Sequence, residues 1–400
     1  MINNVSTLPQ HNKQMMLHTP FHSRVVEACE INEWSAWQGY TTPGSYTNVE
    51  FEYFAIRSNT GVFDLTPMTK YRVTGADAEA YLDRLLTRNI AKLGVNRVAY
   101  IVMCNDAGDV IDDGTLFRIA DNDFRLCTQE RVLDWMMWSA AGFDVNIVDE
   151  TADVAALAIQ GPTSCRVLRN MGFAGLENLK PFGMQNVEFN GASVMISRTG
   201  YTGDLGYEAW MAPEQAESFW DALFEAGKLR GIRAFGSQAL DIARIEAGYL
   251  AAGVDFVPAE QIVRNGRGRS PLELGLGWLV DFNKPLFSGR KALLKQKEYG
   301  PRYRFVKLSV EGNKPADHSF IYCRGKEVGT VTSAGWCPTA KTNIALASLE
   351  MPFGRPGDEL EAEIYYMREL HWTRLMAKCT VISKPVWDPA RRLQTPAPDA

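Results

Sequence analysis

Residues Arg97–Ile119 read RVAYIVMCNDAGDVIDDGTLFRI, and this stretch decides the fold class. Apolar and polar residues alternate over Arg97–Cys104 and again over Val110–Ile119, which is the pattern of two neighbouring antiparallel strands. The turn-forming run Asn105–Asp109 between them contains a glycine and predicts a hairpin loop. A short strand and a helix with apolar residues at helical spacing precede the hairpin, so it belongs to an α+β unit.

The same order of elements occurs again about 85 residues further along the chain. The strand Val154–Ile159 is followed by a helix over Thr163–Met171, by three strands, and by a long helix over Pro213–Ala226. In both places the order is strand, helix, three strands, helix. The sequence therefore predicts a duplicated α+β unit.

The pattern changes near Pro285–Gly289. From Tyr303 onward, short β runs alternate with Gly and Pro clusters at regular intervals, which is typical of a small barrel or jelly roll. The last residues, Thr395–Ala400, are expected to form a frayed tail. The predicted fold class is α+β, with two related, ferredoxin-like α+β units and a C-terminal β-barrel.

Composition excludes several classes of protein. The net charge of the 400 residues is −5, which argues against a general nucleic-acid or membrane-surface binder. No apolar run approaches the ~20 residues of a membrane-spanning helix. The first residues lack the pattern of a secretory signal, so we expect a cytoplasmic protein. The seven cysteines are widely spread and there are only five histidines, so we expect no metal site.

Carboxylates are concentrated in the strand that follows the predicted hairpin loop. Because strand side chains alternate between faces, Asp112 and Asp113 cannot both point into one pocket, and they form a poor acid/base pair. We expect one of them to point outward and the other inward, beside Leu116 and Phe117. An inward carboxylate needs a hydrogen-bond partner or a ligand cation. The alternative, two carboxylates at the exposed start of a hairpin, fits the sequence equally well.

A second concentration of functional side chains lies in Ser197–Glu208, which has three glycines in seven positions. Glycine permits left-handed turns and a close approach of the backbone to a ligand. Glu208 beside Tyr201 and Tyr207 suits a planar heterocycle with two adjacent N–H donors, such as a pterin or guanine. Taken alone, the motif fits a hairpin with a solvated glutamate better.

Several motifs occur in the order of one known family. They are Gly61–Asp64, Cys104–Asp113, Ile159–Pro162, Ser197–Gly203, Arg244–Ala247, Pro271–Trp278 and Phe287–Leu293. On these residues the chain resembles the glycine-cleavage aminomethyltransferase (T-protein) superfamily of folate-dependent one-carbon enzymes. The resemblance covers most of the chain and is far more specific than any one motif.

This resemblance implies a cofactor, tetrahydrofolate, and a set of site residues. Asp113 matches the catalytic aspartate near the reactive folate nitrogens, and Glu208 matches the residue that clamps the pterin. The cofactor-binding residues implied by position are Tyr100, Asp113, Thr128, Tyr201, Glu208 and Arg244.

It also implies three domains arranged as a cloverleaf around a central folate cleft. The first α+β domain would be discontinuous, with residues 1–55 and 153–284. The second, residues 56–152, would carry the strand with Asp112 and Asp113. The barrel would occupy residues 285–390.

Two departures from the family pattern bear on the substrate. Asp64-Leu65-Thr66-Pro67-Met68 stands where the T-protein has D-V-S-H-M, and Leu240 replaces the arginine before Asp241. Loss of a fixed cation weakens contacts to a carboxylate. In these departures, and in the run Thr19–Val25, the chain resembles folate-dependent demethylases such as dimethylsulfoniopropionate demethylase and the folate domain of dimethylglycine dehydrogenase.

Three functions follow as expectations. The first is a tetrahydrofolate-dependent methyltransferase that demethylates a small onium or amine donor, for which Trp34, Trp37, Tyr40 or Tyr46 could supply a cation–π wall. The alternative is the aminomethyltransferase of glycine cleavage, with a lipoyl carrier protein as its partner. The third is a non-catalytic folate-binding assembly factor, which ranks last because residues 248–256 lack the cysteine motif of that branch. None of the three involves nucleic acid or a membrane.

Overall fold

The computed structural model describes residues 17–264 and 266–396. The first elements are α1, the hairpin β1–β2, α2 and β3, which span His22–Ala28, Trp34–Trp37, Tyr40–Pro43, Val49–Ser58 and Gly61–Asp64. Helix α2 begins after Asn48, whose side-chain oxygen accepts the backbone N–H of Glu50 at 2.9 Å. This cap satisfies an N–H group that has no acceptor within the helix.

A five-stranded antiparallel sheet follows, in the strand order β5-β6-β7-β4-β8. Its elements are β4 (Thr69–Thr74), α3 (Ala78–Leu85), β5 (Arg97–Cys104), β6 (Val110–Ala120), β7 (Asp123–Thr128), α4 (Leu133–Ser139) and β8 (Asn146–Asp149). Both helices cover the same face, where Tyr81, Leu82 and Met136 pack against Tyr71 and Leu126. The other face of this sheet is therefore left for a second layer.

The second unit repeats this arrangement. Its elements are β9 (Ala155–Gln160), α5 (Ser164–Asn170), β10 (Met184–Phe189), β11 (Ala192–Ser197), β12 (Gly206–Met211), α6 (Ala216–Gly227) and β13 (Arg233–Ala234). The strand order of its sheet is β10-β11-β12-β9-β3-β13. The order β10-β11-β12-β9 corresponds to β5-β6-β7-β4, and β3 is inserted before the last strand. The predicted duplication is confirmed.

The C-terminal part is a closed six-stranded barrel in the order β14-β17-β16-β15-β18-β19. Two helices precede it, α7 (Ser237–Ala247) and α8 (Arg290–Tyr299). The strands are β14 (Tyr303–Val310), β15 (Phe320–Cys323), β16 (Lys326–Cys337), β17 (Thr342–Glu350), β18 (Glu359–Arg368) and β19 (His371–Ile382). Of the two predicted β architectures, the barrel is correct, and the α+β fold class is confirmed.

The two sheets face each other through the faces that the helices leave uncovered. Phe117 and Cys127 from the five-stranded sheet pack against Ala156 and Trp210 from the six-stranded sheet. The rings of Phe117 and Trp210 meet edge to face, with their centroids 5.0 Å apart. This contact sets the spacing of the inter-sheet cleft, where the candidate site lies.

A buried ion pair joins the second unit to the barrel. Glu246 on α7 receives two hydrogen bonds from the Arg57 guanidinium on α2, from Nε at 2.9 Å and from Nη2 at 2.5 Å. The Tyr53 hydroxyl and the Cys337 thiol each donate to Glu246 at 2.6 Å, and Cys337 lies at the end of barrel strand β16. Four donors compensate this buried carboxylate, as a charge without water requires.

The N-terminal region is more regular than its composition suggests. Residues 1–66 are rich in Asn, His, Pro, Ser and Thr, a composition that predicts an irregular region with a helical stretch near Phe51–Ser58. That prediction is wrong for α1, β1, β2 and β3. Strand β3 has only four residues, all of them buried, so it is too short to show a clear strand pattern. Residues 1–16 lie outside the described part of the chain.

Within the described ranges, no helix is both long and apolar enough to cross a membrane. The same residues contain no group of three or more His, Cys, Asp or Glu side chains that could bind a metal ion.

Candidate active site

The strand register places a row of side chains across the five-stranded sheet. Tyr100 on β5 pairs with Thr115 on β6, Thr115 with Cys127 on β7, and Cys127 with Lys70 on β4. Asp113 lies two residues from Thr115 and therefore on the same face. This face is the one that meets the other sheet, so these side chains point toward the inter-sheet cleft.

Asp113 is held by Tyr100. The Tyr100 hydroxyl donates a hydrogen bond to Oδ2 of Asp113 at 2.6 Å. Burial raises the pKa of Asp113 to about 6, and the bond from Tyr100 limits that rise because it stabilises the carboxylate. A carboxyl group with a pKa near neutrality can both accept and return a proton.

Asp112 lies on the opposite face and is fully buried. Its two carboxyl oxygens accept the backbone N–H groups of Asp113 at 2.9 Å and Glu130 at 2.7 Å. Burial, followed by the charge of Asp113, raises the pKa of Asp112 well above its usual range. The expectation that one of the two carboxylates points outward is wrong, because the loop after β7 covers Asp112.

Glu208 on β12 belongs to the facing sheet and is only 9% exposed. The Thr199 hydroxyl donates to its Oε2 at 2.5 Å, and the Ser197 hydroxyl lies 3.5 Å from the same atom. Burial raises the pKa of Glu208 to about 7. Among the described residues only Oε2 is hydrogen-bonded, which leaves Oε1 for a ligand. The interpretation of Glu208 as a solvated glutamate is wrong.

The glycines of the 197–208 loop approach the protein itself. A Cβ atom at Gly200 or Gly206 would lie within 2.2 Å of the Gln160 side chain. Only Gly203 has a positive φ, +72°, and a Cβ there would lie 2.4 Å from Cβ of Ala247. We expected close approach to a ligand, whereas these glycines make room for Gln160 and for helix α7.

Tyr201 closes another side of the cleft. Its hydroxyl donates to the backbone carbonyl of Leu250, and its ring stacks on Tyr249 with centroids 5.7 Å apart. Burial raises the pKa of Tyr201 well above its usual value, and the charge of Asp113 adds to that rise. The Tyr201 ring is therefore within electrostatic range of the Asp113 carboxylate.

Comparison with known proteins gives the family. The GCVT N-terminal domain matches residues 21–284, and the glycine cleavage T-protein C-terminal barrel domain matches residues 304–388. The chain belongs to the glycine-cleavage T-protein family. This membership confirms the expectations of an enzyme and of tetrahydrofolate as the cofactor.

Individual relatives agree with this family. The chain is 32% identical over 349 residues to the aminomethyltransferase of Halothermothrix orenii, covering 86% of this chain and 92% of the relative. It is 34% identical over 332 residues to the aminomethyltransferase of Caldanaerobacter subterraneus subsp. tengcongensis, covering 82% and 86%.

A solved structure has the same fold. The glycine cleavage system aminomethyltransferase T from Bartonella henselae superposes with a TM-score of 0.82 at 24% identity, covering 95% of this chain and 99% of that one.

Two T-protein positions from the sequence analysis lie outside the cleft face. The Thr128 side chain shares the face of Asp112, and its hydroxyl donates to the carbonyl of Glu130 at 2.8 Å. Arg244 is buried beneath the barrel, where its guanidinium contacts Asp241, Asp255 and the Ser333 hydroxyl. Their cofactor-binding roles stay predictions, and protein groups already occupy the polar atoms of both.

Three of the four aromatic residues suggested for a cation–π wall lie on the β1–β2 hairpin, where Trp37 is paired with Tyr40. Tyr40 and Tyr46 are buried, while Trp34 lies beside His22 with ring centroids 5.9 Å apart. Trp37 packs against the same apolar cluster as Leu65 and Leu240. A cation–π role for any of the four stays a prediction.

Two residues of the site, Trp278 and Lys70, were not predicted from the sequence to have a role. Trp278 is 67% exposed, and its ring lies over Tyr100 with centroids 6.1 Å apart. Its place in the motif Gly277-Trp278 was a signal that could have identified it. Lys70 is fully buried on the cleft face, and no pattern in the sequence distinguishes it from a surface lysine.

Proposed function

We propose that the protein is the aminomethyltransferase of glycine cleavage, which transfers a one-carbon unit from an aminomethyl-lipoyl carrier protein to tetrahydrofolate. The observation that carries the proposal is the facing pair of carboxylates, Asp113 with Tyr100 and Glu208 with Thr199, on opposite walls of one cleft. Relatives more than 30% identical over most of the chain bear the name aminomethyltransferase.

The chain's own residues fit the pterin of tetrahydrofolate. Glu208 has a buried carboxylate whose Oε1 has no protein donor among the described residues, and a pterin offers two adjacent N–H donors to such a group. The Tyr201 and Trp278 rings supply apolar faces for a planar ligand. When bound, tetrahydrofolate supplies the nucleophilic nitrogen of the reaction.

Asp113 is the group that we assign to proton movement at that nitrogen. Its carboxylate is the form present above pH 6, so at neutral pH it accepts a proton or stabilises a cationic reaction centre. Tyr100 keeps the carboxylate oriented through the 2.6 Å hydrogen bond. Most of the remaining rate enhancement comes from alignment of the donor carbon with the nitrogen.

Demethylation of a small methylated donor is the second candidate. The observation that favours it is an apolar core cluster against which Trp37, Leu65 and Leu240 all pack, and Leu65 also packs in the inter-sheet cluster. An apolar and aromatic wall suits a methylated onium compound better than a carboxylate. Both candidates use tetrahydrofolate as the acceptor, and they differ only in the donor.

One experiment separates these functions. The purified protein is incubated with tetrahydrofolate and either an aminomethylated lipoyl carrier protein or a panel of methylated onium and amine donors. Release of ammonia together with methylene-tetrahydrofolate supports the proposal, whereas methyl-tetrahydrofolate from a small donor supports the second candidate. Folate binding without turnover on any donor would leave the assembly-factor function. The Asp113→Asn variant is the control for uncatalysed transfer.

A further inference from the structure

Lys70 is a buried cation on the floor of the cleft. Its Nζ donates to the backbone carbonyls of Thr66 at 2.6 Å and Met68 at 3.0 Å, and lies 3.5 Å from that of Thr151. In the part of the chain that the structure describes, the ammonium forms no ion pair with a carboxylate. Burial of an ammonium group among carbonyls alone is costly, and an apolar residue at this position would avoid that cost.

Two of those carbonyls belong to the crossover, residues Leu65–Met68, which leads from strand β3 in one sheet to strand β4 in the other. Leu65 and Met68 pack in the inter-sheet cluster with Cys127 and Trp210. In the six-stranded sheet, Glu208 lies opposite Ala158, and Ala158 lies opposite Phe63, two residues before Leu65. The crossover therefore begins beside the row of residues that contains Glu208, at the wall of the cleft.

Other bonds hold the amide and hydroxyl groups of the crossover. The Thr66 amide donates to Oδ1 of Asp64 at 3.0 Å, and the Thr66 hydroxyl accepts the Ala156 amide at 3.1 Å. The Leu65 amide donates to the carbonyl of Ala156 at 2.9 Å, and the Met68 amide to that of Leu65 at 3.1 Å. The carbonyls of Thr66 and Met68 point inward to Lys70, and one ammonium can satisfy both because it has three donors.

We propose that Lys70 is a positioning residue, whose buried ammonium holds the crossover in the conformation that forms the Glu208 side of the cleft. The expected effect on binding of the pterin rests on the proposed function, whereas the effect on the conformation of the crossover does not. Among the described residues, the Lys70 side chain forms no hydrogen bond with Asp113 or Glu208. It acts through the positions of Leu65 and Met68.

The environment of Lys70 makes this positioning dependent on pH. Burial lowers the pKa of Lys70 to about 8. The titratable and charged groups that face it are Cys127 and Arg125 from β7, Asp64 from β3 and Glu150 from the segment after β8. As the pH rises through 8, the amine keeps two donors but loses its charge, so its bonds to the crossover carbonyls weaken.

The first test measures the crossover directly. Hydrogen–deuterium exchange of the peptide that contains residues 64–69 is compared between the ligand-free wild type and Lys70→Met. We expect faster exchange in the variant, without loss of the global thermal transition, because methionine matches the length and apolar character of the lysine stem. Unchanged exchange in this peptide would show that Lys70 does not hold the crossover, whatever the protein binds.

Lys284→Met is the matched control. Lys284 is also buried, and its Nζ donates to the carbonyls of Leu86 and Arg88 at 2.8 Å, near the end of α3. It differs from Lys70 in that it also forms an ion pair with Asp83 at 3.3 Å. Removal of this ammonium should loosen the end of α3 and leave exchange of residues 64–69 unchanged. Equal acceleration in both variants would indicate general destabilisation and would refute the proposal.

The second test measures tetrahydrofolate binding from pH 7 to 9 by calorimetry. For Lys70→Met we expect the Kd at pH 7 to rise about five- to tenfold, the loss of roughly one hydrogen bond. The ratio of the variant Kd to the wild-type Kd should fall toward one between pH 7 and 9, because Lys70 loses its charge in the wild type alone. Glu208, whose pKa is about 7, titrates in both proteins, so its effect cancels in this ratio. A ratio that stays constant over this pH range would contradict the role of the Lys70 charge. A wild type that binds no folate would refute the proposed function, and the exchange result would still decide the role of Lys70.

Discussion

At the residue scale, the environment of Asp113 predicts the acid limb of the pH–rate profile. Its pKa is raised to about 6 by burial, so the carboxylate is the minor form below pH 6. If the carboxylate is the working form, kcat/KM should fall about tenfold per pH unit below that value. In Tyr100→Phe the stabilising hydrogen bond is absent, so the acid limb should move to higher pH.

Steady-state rates from pH 4.5 to 8 test this prediction in the wild type, Tyr100→Phe and Asp113→Asn. The last variant should be almost inactive at every pH and should still bind tetrahydrofolate. An Asp113→Asn enzyme with full activity would remove Asp113 from the chemistry.

Replacement of Glu208 by glutamine should stabilise the folded protein and weaken its binding of tetrahydrofolate. Its pKa is about 7 in the folded protein and 4.5 ordinarily, so the folded state loses stability as the pH rises from 4.5 through 7. Glu208→Gln is a neutral isostere, and we expect it to raise the free energy of unfolding by ~2–3 kcal/mol at pH 8 and by little at pH 5. Its Kd for tetrahydrofolate should rise by about ten- to a hundredfold.

Urea unfolding at both pH values and calorimetric titration with tetrahydrofolate measure the two effects. Ser218→Ala is a useful control, because Ser218 lies on helix α6 of the same unit and, among the residues that the structure describes, its hydroxyl bonds only to the carbonyl of Gln215. A Glu208→Gln variant that is destabilised at pH 8 would contradict the assignment of a buried, costly carboxylate.

Some residues of the site could be predicted from the sequence, and others could not. Asp113 and Glu208 were identified because carboxylates are conspicuous in apolar strands and in glycine-rich loops. Lys70 was missed because lysine is nearly always exposed, and its burial depends on carbonyls from residues 66, 68 and 151. A contact that combines distant backbone groups leaves no pattern in the sequence around the lysine.

At the scale of elements, helices α2 and α7 depend on the pair formed by Arg57 and Glu246. Both side chains are buried, with exposures of 2% and 0%. Glu246→Leu leaves the Arg57 charge without its partner, and we expect a loss of about 3–5 kcal/mol in the free energy of unfolding. The double variant Arg57→Met/Glu246→Leu removes both charges and should recover much of that loss.

Urea denaturation of the two single variants, the double variant and the wild type completes this cycle. A double variant less stable than Glu246→Leu would mean that the pair contributes through its packing with Tyr53 and Cys337, and not through charge compensation.

Local patterns predicted most elements but not their borders. The repeated order of strands and helices was readable because the same order recurs about 85 residues further along the chain. Burial does not explain why β3 was missed, because β9 and β12 are also buried along their whole length and were predicted. Strand β3 has only four residues and is inserted into a sheet whose other strands come later in the chain. The chain boundaries of the three domains stay a prediction.

At the scale of the whole molecule, no local sequence pattern predicts that the two sheets pack face to face. It depends on the fit of Phe117 and Cys127 to Ala156 and Trp210, residues from strands far apart in the sequence. Only the resemblance to a family predicted the cleft, and the placement of Asp113 and Glu208 on its two walls follows from that packing.

The segment that follows the last barrel strand contacts both the loop that carries Tyr201 and helix α2. Asp204, in the loop that carries Tyr201, has a fully buried side chain. It accepts hydrogen bonds from Trp387 Nε1 at 3.0 Å and from Arg391 at 2.6 and 2.8 Å. Trp387 also stacks on the Arg57 guanidinium, 4.7 Å from the ring centroid. The segment therefore supports both the α2–α7 ion pair and the loop of the candidate site.

We predict that Arg391→Leu lowers the free energy of unfolding by about 3–5 kcal/mol, because it leaves Asp204 buried without its cation. Asp204→Asn removes the charge that needs compensation, so Arg391→Leu should cost much less in that background. The same single variant should weaken tetrahydrofolate binding through the Tyr201 loop, and the double variant should restore part of it. If Arg391→Leu costs as much in the Asp204→Asn background as in the wild type, the segment stabilises the molecule by packing alone, and the link from the C-terminus to the Tyr201 loop is lost.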